Sequence, residues 1–131
     1  MNRGQAFLAL ILLIGGIAVL VGLTLAPLVS SFVDTGYGYQ SSVQAEAVAN
    51  SGVEDALLQI SRNADFFSSG YSVAAGSSTA TVAVTQDSPS AGLVTILSTA
   101  TVSNRTTKVN VVVAVNASTS QATVVSWKTI Q

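Results

Sequence analysis

Hydrophobic and polar positions divide the chain into two regimes. No charged residue lies between Arg3 and Asp34, and an unbroken apolar run of 28 residues extends from Ala6 to Val33. About 20 apolar residues suffice to cross a bilayer as a helix, and a helix satisfies its own backbone polar groups in lipid. Beyond Val33 the chain turns polar and rich in Ser, Thr, Gly and Val. Asp34-Thr35-Gly36-Tyr37-Gly38-Tyr39 reads as a first break in the pattern, compatible with an interfacial tyrosine belt and equally with a melted stretch between two helices, whose continuity the sequence leaves open. Ser41 to Asn63 predicts a second, amphipathic helix. Its apolar stripe is Val43, Ala47, Asn50, Val53, Leu57 and Ile60, widened by Ala56, with Ser51-Gly52 as a weak spot. Asp65 to Ser78 predicts a connection that admits a short strand at Tyr71 to Ala74.

Further along, the period changes to two. Thr79–Thr85, Leu93–Ser103, Thr107–Val115 and Ala122–Ile130 are β-branched runs separated by short polar connections. They predict an antiparallel meander of four to five strands, one face packed on the second helix. The fold class is therefore α+β. A membrane-type helix (5–33) leads to an amphipathic helix (34–64) and then to an antiparallel β head (65–131).

Charge and composition exclude several functions. The net charge of −1 offers no basic footprint for nucleic acid. Charged residues make up 8% of the chain, against about a quarter in an average protein. With no cysteine there are no disulfides, thiolate metal sites or thiol nucleophiles. With no histidine the commonest general base and zinc ligand are missing. The apolar run exceeds the core of a secretory signal, about 7 to 15 residues. The helix is thus read as retained, with Arg3 cytoplasmic and the head, from Asp34 onward, extracytoplasmic.

Candidate site chemistry is sparse. The carboxylates are Asp34, Glu46, Glu54, Asp55, Asp65 and Asp87. Adjacent Glu54 and Asp55 point to different sides of a helix and make a poor catalytic pair. Asp65 and Asp87 fall in loops without the spacing of a calcium motif, and no S-x-x-K hydrolase motif occurs. Neither a metal nor a cofactor is expected, and no enzyme activity. Asn104-Arg105-Thr106 and Asn116-Ala117-Ser118 are N-x-[ST] sequons at predicted hairpin turns, so Asn104 and Asn116 are candidate glycosylation sites. Gly15, Gly16 and Gly22 would allow close helix approach, and Pro27 should kink or loosen its helix. Phe7, Phe32, Tyr37 and Tyr39 are too few for an electron-carrying stripe and read as packing and interface anchors, with Trp127 as a core or sheet-face residue.

The layout resembles the type IV pilin and pseudopilin superfamily. Arg3-Gly4-Gln5-Ala6-Phe7-Leu8 looks like a prepilin leader junction. Gln44-Ala45-Glu46-Ala47 and Gly52-Val53-Glu54-Asp55-Ala56-Leu57 resemble stretches of minor-pilin-like proteins and of type II secretion tip pseudopilins. The resemblance covers roughly the first half of the chain. It implies a leader of residues 1–4, cut by a prepilin peptidase between Gly4 and Gln5. It also implies that Phe7, Leu8, Ala9, Leu10 and the rest of the helix serve first as membrane anchor and later as filament core. The implied partners are other pilin or pseudopilin subunits, the membrane and the pilus assembly machinery. The implied location is the cytoplasmic membrane, then a cell-surface filament. Major pilins of this superfamily carry a glutamate at the fifth mature position; here it is Ala9, which points to a minor or tip subunit. The alternative is a single-pass anchored, extracytoplasmic binding module that is neither processed nor polymerised.

Overall fold

The structure, a computed structural model, describes residues 3–130. Met1 and Asn2 of the expected leader lie outside that range. A single helix, α1 (Arg3–Arg62), is followed by β1 (Ser68–Ala75), β2 (Ser78–Gln86), β3 (Leu93–Val102), β4 (Arg105–Asn116) and β5 (Gln121–Ile130). The strands form one antiparallel sheet in the order β1-β2-β3-β4-β5. The described residues form two compact units, one ending at Tyr37 and the other beginning at Gly38.

Of the two arrangements open at 34–39, the structure has the continuous helix, and helical hydrogen bonding runs through both glycines. Each glycine costs about 1 kcal/mol in a helix interior. The turns on both sides are already nucleated, so that cost is not enough to end the helix. Gly38 also leaves room for a neighbour, since a Cβ there would lie 3.2 Å from a guanidinium nitrogen of Arg105. Helix is likewise assigned on both sides of Pro27.

In the second unit, α1 packs on the sheet. Ala45, Val48, Ala49, Gly52, Val53, Ala56 and Ile60 are buried on the helix. They meet Ala80, Val82 and Val84 of β2, Val94, Ile96, Ser98 and Ala100 of β3, and Val109, Val111 and Val113 of β4. The predicted stripe is therefore partly corrected. Val53, Ala56 and Ile60 are core, and Leu57 packs at its margin. Val43 and Ala47 face out, and Asn50 is half-buried with its Oδ1 enclosed and unpartnered.

Small side chains explain the rotation of that stripe. A Cβ built on Gly52 would come within 2.5 Å of Ser98 Oγ, 2.7 Å of Val82 Cγ2 and 3.0 Å of Ala80 Cβ. Gly52, read from the sequence as a weak spot, is thus a point of close approach between helix and sheet. The alanines on either side widen that contact. Larger residues at 43 and 57 would hold the helix further off.

The sheet agrees closely with the predicted runs, and it has five strands. β3 and β4 alternate buried and exposed positions, as one-sided packing requires. Ser103 and Asn104, with φ of 46° and 67°, form the two-residue β3–β4 turn, whose left-handed pair matches the twist of the flanking strands. Tyr71 on β1 donates a 2.9 Å hydrogen bond to Asp55 of α1 and meets Phe66 edge to face, with ring centroids 5.9 Å apart.

Two outcomes test this packing. Gly52→Val should lower head stability by about 1–3 kcal/mol through overpacking. Ser98→Ala, which deletes a buried hydroxyl with no hydrogen-bond partner, should leave stability unchanged or raise it. Thermal melts of the full chain followed by circular dichroism check both. Tyr71 supplies a pH test. Burial first, then its bond to Asp55 and the Asp55 charge, raise its pKa above the ordinary 10.0. The folded state thus keeps the phenol proton longer than the unfolded state does. The Tyr71 contribution should be whole below pH 10 and fade as pH climbs beyond it. Tyr71→Phe should remove that part of the alkaline loss of stability.

Candidate functional site

Among the described residues, the N-terminal unit is a helix whose apolar side chains are exposed. Its most apolar 18-residue window has a mean hydropathy of 2.9 and none of it is buried. The helix is long and apolar enough to cross a membrane. Phe7, Leu8, Leu10 and the large residues as far as Val33 are all exposed. Its hydroxyls are partly provided for: Thr24 Oγ1 donates to the Val21 carbonyl at 2.9 Å, and Thr35 Oγ1 to the Ser31 carbonyl at 2.8 Å. Such back-bonding keeps a threonine from presenting an unsatisfied hydroxyl to an apolar surrounding.

Gly4, Gln5, Leu8, Ala9 and Leu12 line one shallow groove on this helix. The structure therefore brings the expected cleavage junction and Ala9 onto a common face. Gln5 and Ala9 are four residues apart, close to one turn, so a side chain at 9 stands beside residue 5. Ala9 places no charge there. Gly15, Gly16 and Gly22 have open space where a Cβ would project. Gly15 and Gly22, seven residues apart, share a face.

The other sequence-derived candidates are dispersed. Glu54 is exposed on α1, whereas Asp55 is engaged by Tyr71. Asp87 Oδ1 accepts from the Gly92 amide at 2.9 Å, which shapes the β2–β3 loop. Among the described residues no three acidic side chains gather as a metal site. Asn104 sits in the tight β3–β4 turn, and Asn116 ends β4 with its Oδ1 accepting from the Ser118 amide at 3.0 Å. The two sequons lie at opposite ends of β4, roughly 40 Å apart at the usual strand rise. Trp127 pairs with Val111 and so belongs to the helix-facing side of the sheet, but it is 44% exposed.

Sequence reasoning missed the concave surface at one end of the head, lined by Gln44, Ser77, Thr79, Thr81, Thr99 and Thr101 among others. Its walls are almost entirely hydroxyl and amide. No titratable side chain lines it, so it can offer neutral hydrogen bonds but no proton transfer. The alternating Thr in two of the predicted strands was the available signal.

Comparison with known protein families, with characterised proteins and with solved structures finds no match to this chain.

A substitution pair separates folding from assembly on the N-terminal helix. Gly15→Ala with Gly16→Ala meets nothing within the chain and should favour the helix by about 1 kcal/mol per site. Circular dichroism should show helix content held or raised. Any loss of membrane-fraction oligomers on crosslinking then reports contacts between chains.

Proposed function

We propose that this chain is a structural subunit, minor or at the tip, of a type IV pilus or of a type II secretion-like pseudopilus. The observation that carries the reading is the apolar stretch of α1, whose most apolar window has no buried residue among the described ones and which is joined to a folded α+β head. Such a helix must be covered by lipid or by other helices. It can exchange one for the other at little cost, because lipid tails are as apolar as leucine. Anchoring before assembly and core packing after it are thus the same physical property used twice. The leader-like junction at Gly4 and Gln5 supports processing by a prepilin peptidase, and Ala9 supports a position other than that of the major subunit. The head would lie outside the cell and be displayed on the filament surface.

A second reading, an anchored extracytoplasmic binding module, draws on the hydroxyl-lined surface around Thr81 and Thr99. It keeps the helix as a permanent anchor and gives the head the whole task.

Mass spectrometry of the N-terminus, on membrane and sheared-surface fractions from the native host, distinguishes the two. The filament reading expects mature protein starting at Gln5, and Gly4→Leu should abolish its appearance in the sheared fraction. Protein starting at Met1 and confined to the membrane would overturn it in favour of the binding module.

A further inference from the structure

Cleavage after Gly4 would make Gln5 the first residue of the mature chain and would remove Arg3 with the leader. The first charged side chain left is then Asp34. From Gln5 to Val33 the mature helix holds a single charge, the new α-amine. Nothing near it on α1 offsets that charge. The first turn carries no acidic residue. Position 9, from which a carboxylate could reach back one turn, is alanine. The groove formed by Gly4, Gln5, Leu8, Ala9 and Leu12 has the Gln5 carboxamide as its one polar side chain. An ammonium there also lies at the positive end of the helix dipole. At a membrane surface, water and lipid phosphates can serve it. In a core of packed apolar helices they cannot, and an unpaired charge carries its full desolvation cost.

Gln5 has the means to remove the charge. Its side chain is exposed, and its Cδ follows the nitrogen through Cα, Cβ and Cγ, so that attack of the amine on Cδ closes a five-membered ring. We propose that the mature N-terminus of this protein is a pyroglutamyl lactam, formed from Gln5 after cleavage at Gly4. The free-base amine attacks its own carboxamide carbon. The N–Cδ bond forms, the Cδ–Nε2 bond breaks, and ammonia leaves with one proton from the amine. No oxidant, metal or second substrate is consumed. Both reacting groups belong to one residue, which gives the step an intramolecular advantage. An α-amine titrates close enough to neutrality for free base to be present. The product is neutral, so the helix bears no charge from its first atom to Val33. It can pass from lipid into a helix core without a counter-charge from any neighbour. Gln5 and Ala9 then act together: one removes the ammonium, and the other leaves out the carboxylate that an ammonium would need. This inference rests on the filament reading, and on cleavage at Gly4 in particular, and adds the chemical form of the processed end.

The test reads the N-terminus of the full chain from its native host. Membrane and sheared fractions are treated at once with isotopically labelled formaldehyde and cyanoborohydride. This alkylates every free or methylated amine before handling can cyclise it, and leaves a lactam untouched. Mass spectrometry should find a chain that starts at position 5, lacks the mass of one ammonia and carries no label at its N-terminus. Gln5→Asn keeps a carboxamide but would need a strained four-membered ring. That variant should stay open, take the label, and reach the sheared fraction about tenfold less, as an unpaired buried charge requires. Adding Ala9→Glu should restore most of it, by setting a carboxylate one turn from the amine. Gln5→Ser, with no carboxamide, repeats the test should the first variant escape cleavage. A native chain that starts at Gln5 with a labelled or naturally methylated amine overturns the lactam and leaves the filament reading intact. Cleaved Gln5→Asn chain assembling in full amount with an open amine overturns the role given to the lactam. A native chain that starts at Met1 sinks both ideas.

Discussion

The close approach of helix and sheet at Gly52 is the contact on which the others in the head depend. At Gly52 the helix backbone comes down onto Ser98, Val82 and Ala80, with no room for a single methyl group. That contact sets the spacing of helix and sheet. It lets Ala45, Ala49 and Ala56 be core residues, because small side chains fill a narrow gap. It decides which helix face is turned outward, and so exposes Val43, Glu54 and Leu58. A helix held off by larger residues would bury a different stripe and present different chemistry. The hydroxyl of Ser98 sits in that gap without a partner, kept from water by the same proximity.

Much of the fold was legible in the sequence. Strict alternation in β3 and β4 comes from burial on one face only, and alternation is the pattern that sequence displays most clearly. The strand boundaries followed from short polar connections, such as Ser103-Asn104, which admit little else. The helix stripe was less legible. Hydrophobicity alone favours Val43 over Ala45 and Leu57 over Gly52, whereas packing selected the small residues. The signal was a glycine flanked by alanines at helical spacing, which marks close approach rather than weakness. The continuity of α1 through Gly36 and Gly38 was also illegible from composition. It depends on the turns to either side, which are already helical when the chain reaches the glycines.

The candidate site was legible in kind. The apolar run announces a surface that needs a partner, and the structure adds that no part of its most apolar window is buried within the chain. What the sequence did not show is the distribution of charge in three dimensions. Glu54 and Lys128 are far apart in the chain and stand on opposite surfaces of the head. Only strand register puts Lys108 and Lys128 side by side, on neighbouring strands with Asn110 and Ile130 as their cross-strand partners.

The sheet has two open edges, β1 and β5, and either could in principle add a strand from another chain. Both are interrupted. β1 shifts register between Ser68 and Tyr71, around Gly70, and β5 shifts where it faces Val112 and Val113. A bulge twists an edge and breaks the ladder that an incoming strand would extend. On β5 the exposed Lys128 adds the desolvation cost of a charge at any flat sheet-to-sheet contact. Growth by strand addition is thus obstructed at both edges, while the N-terminal helix and the outer face of α1 carry no comparable obstacle.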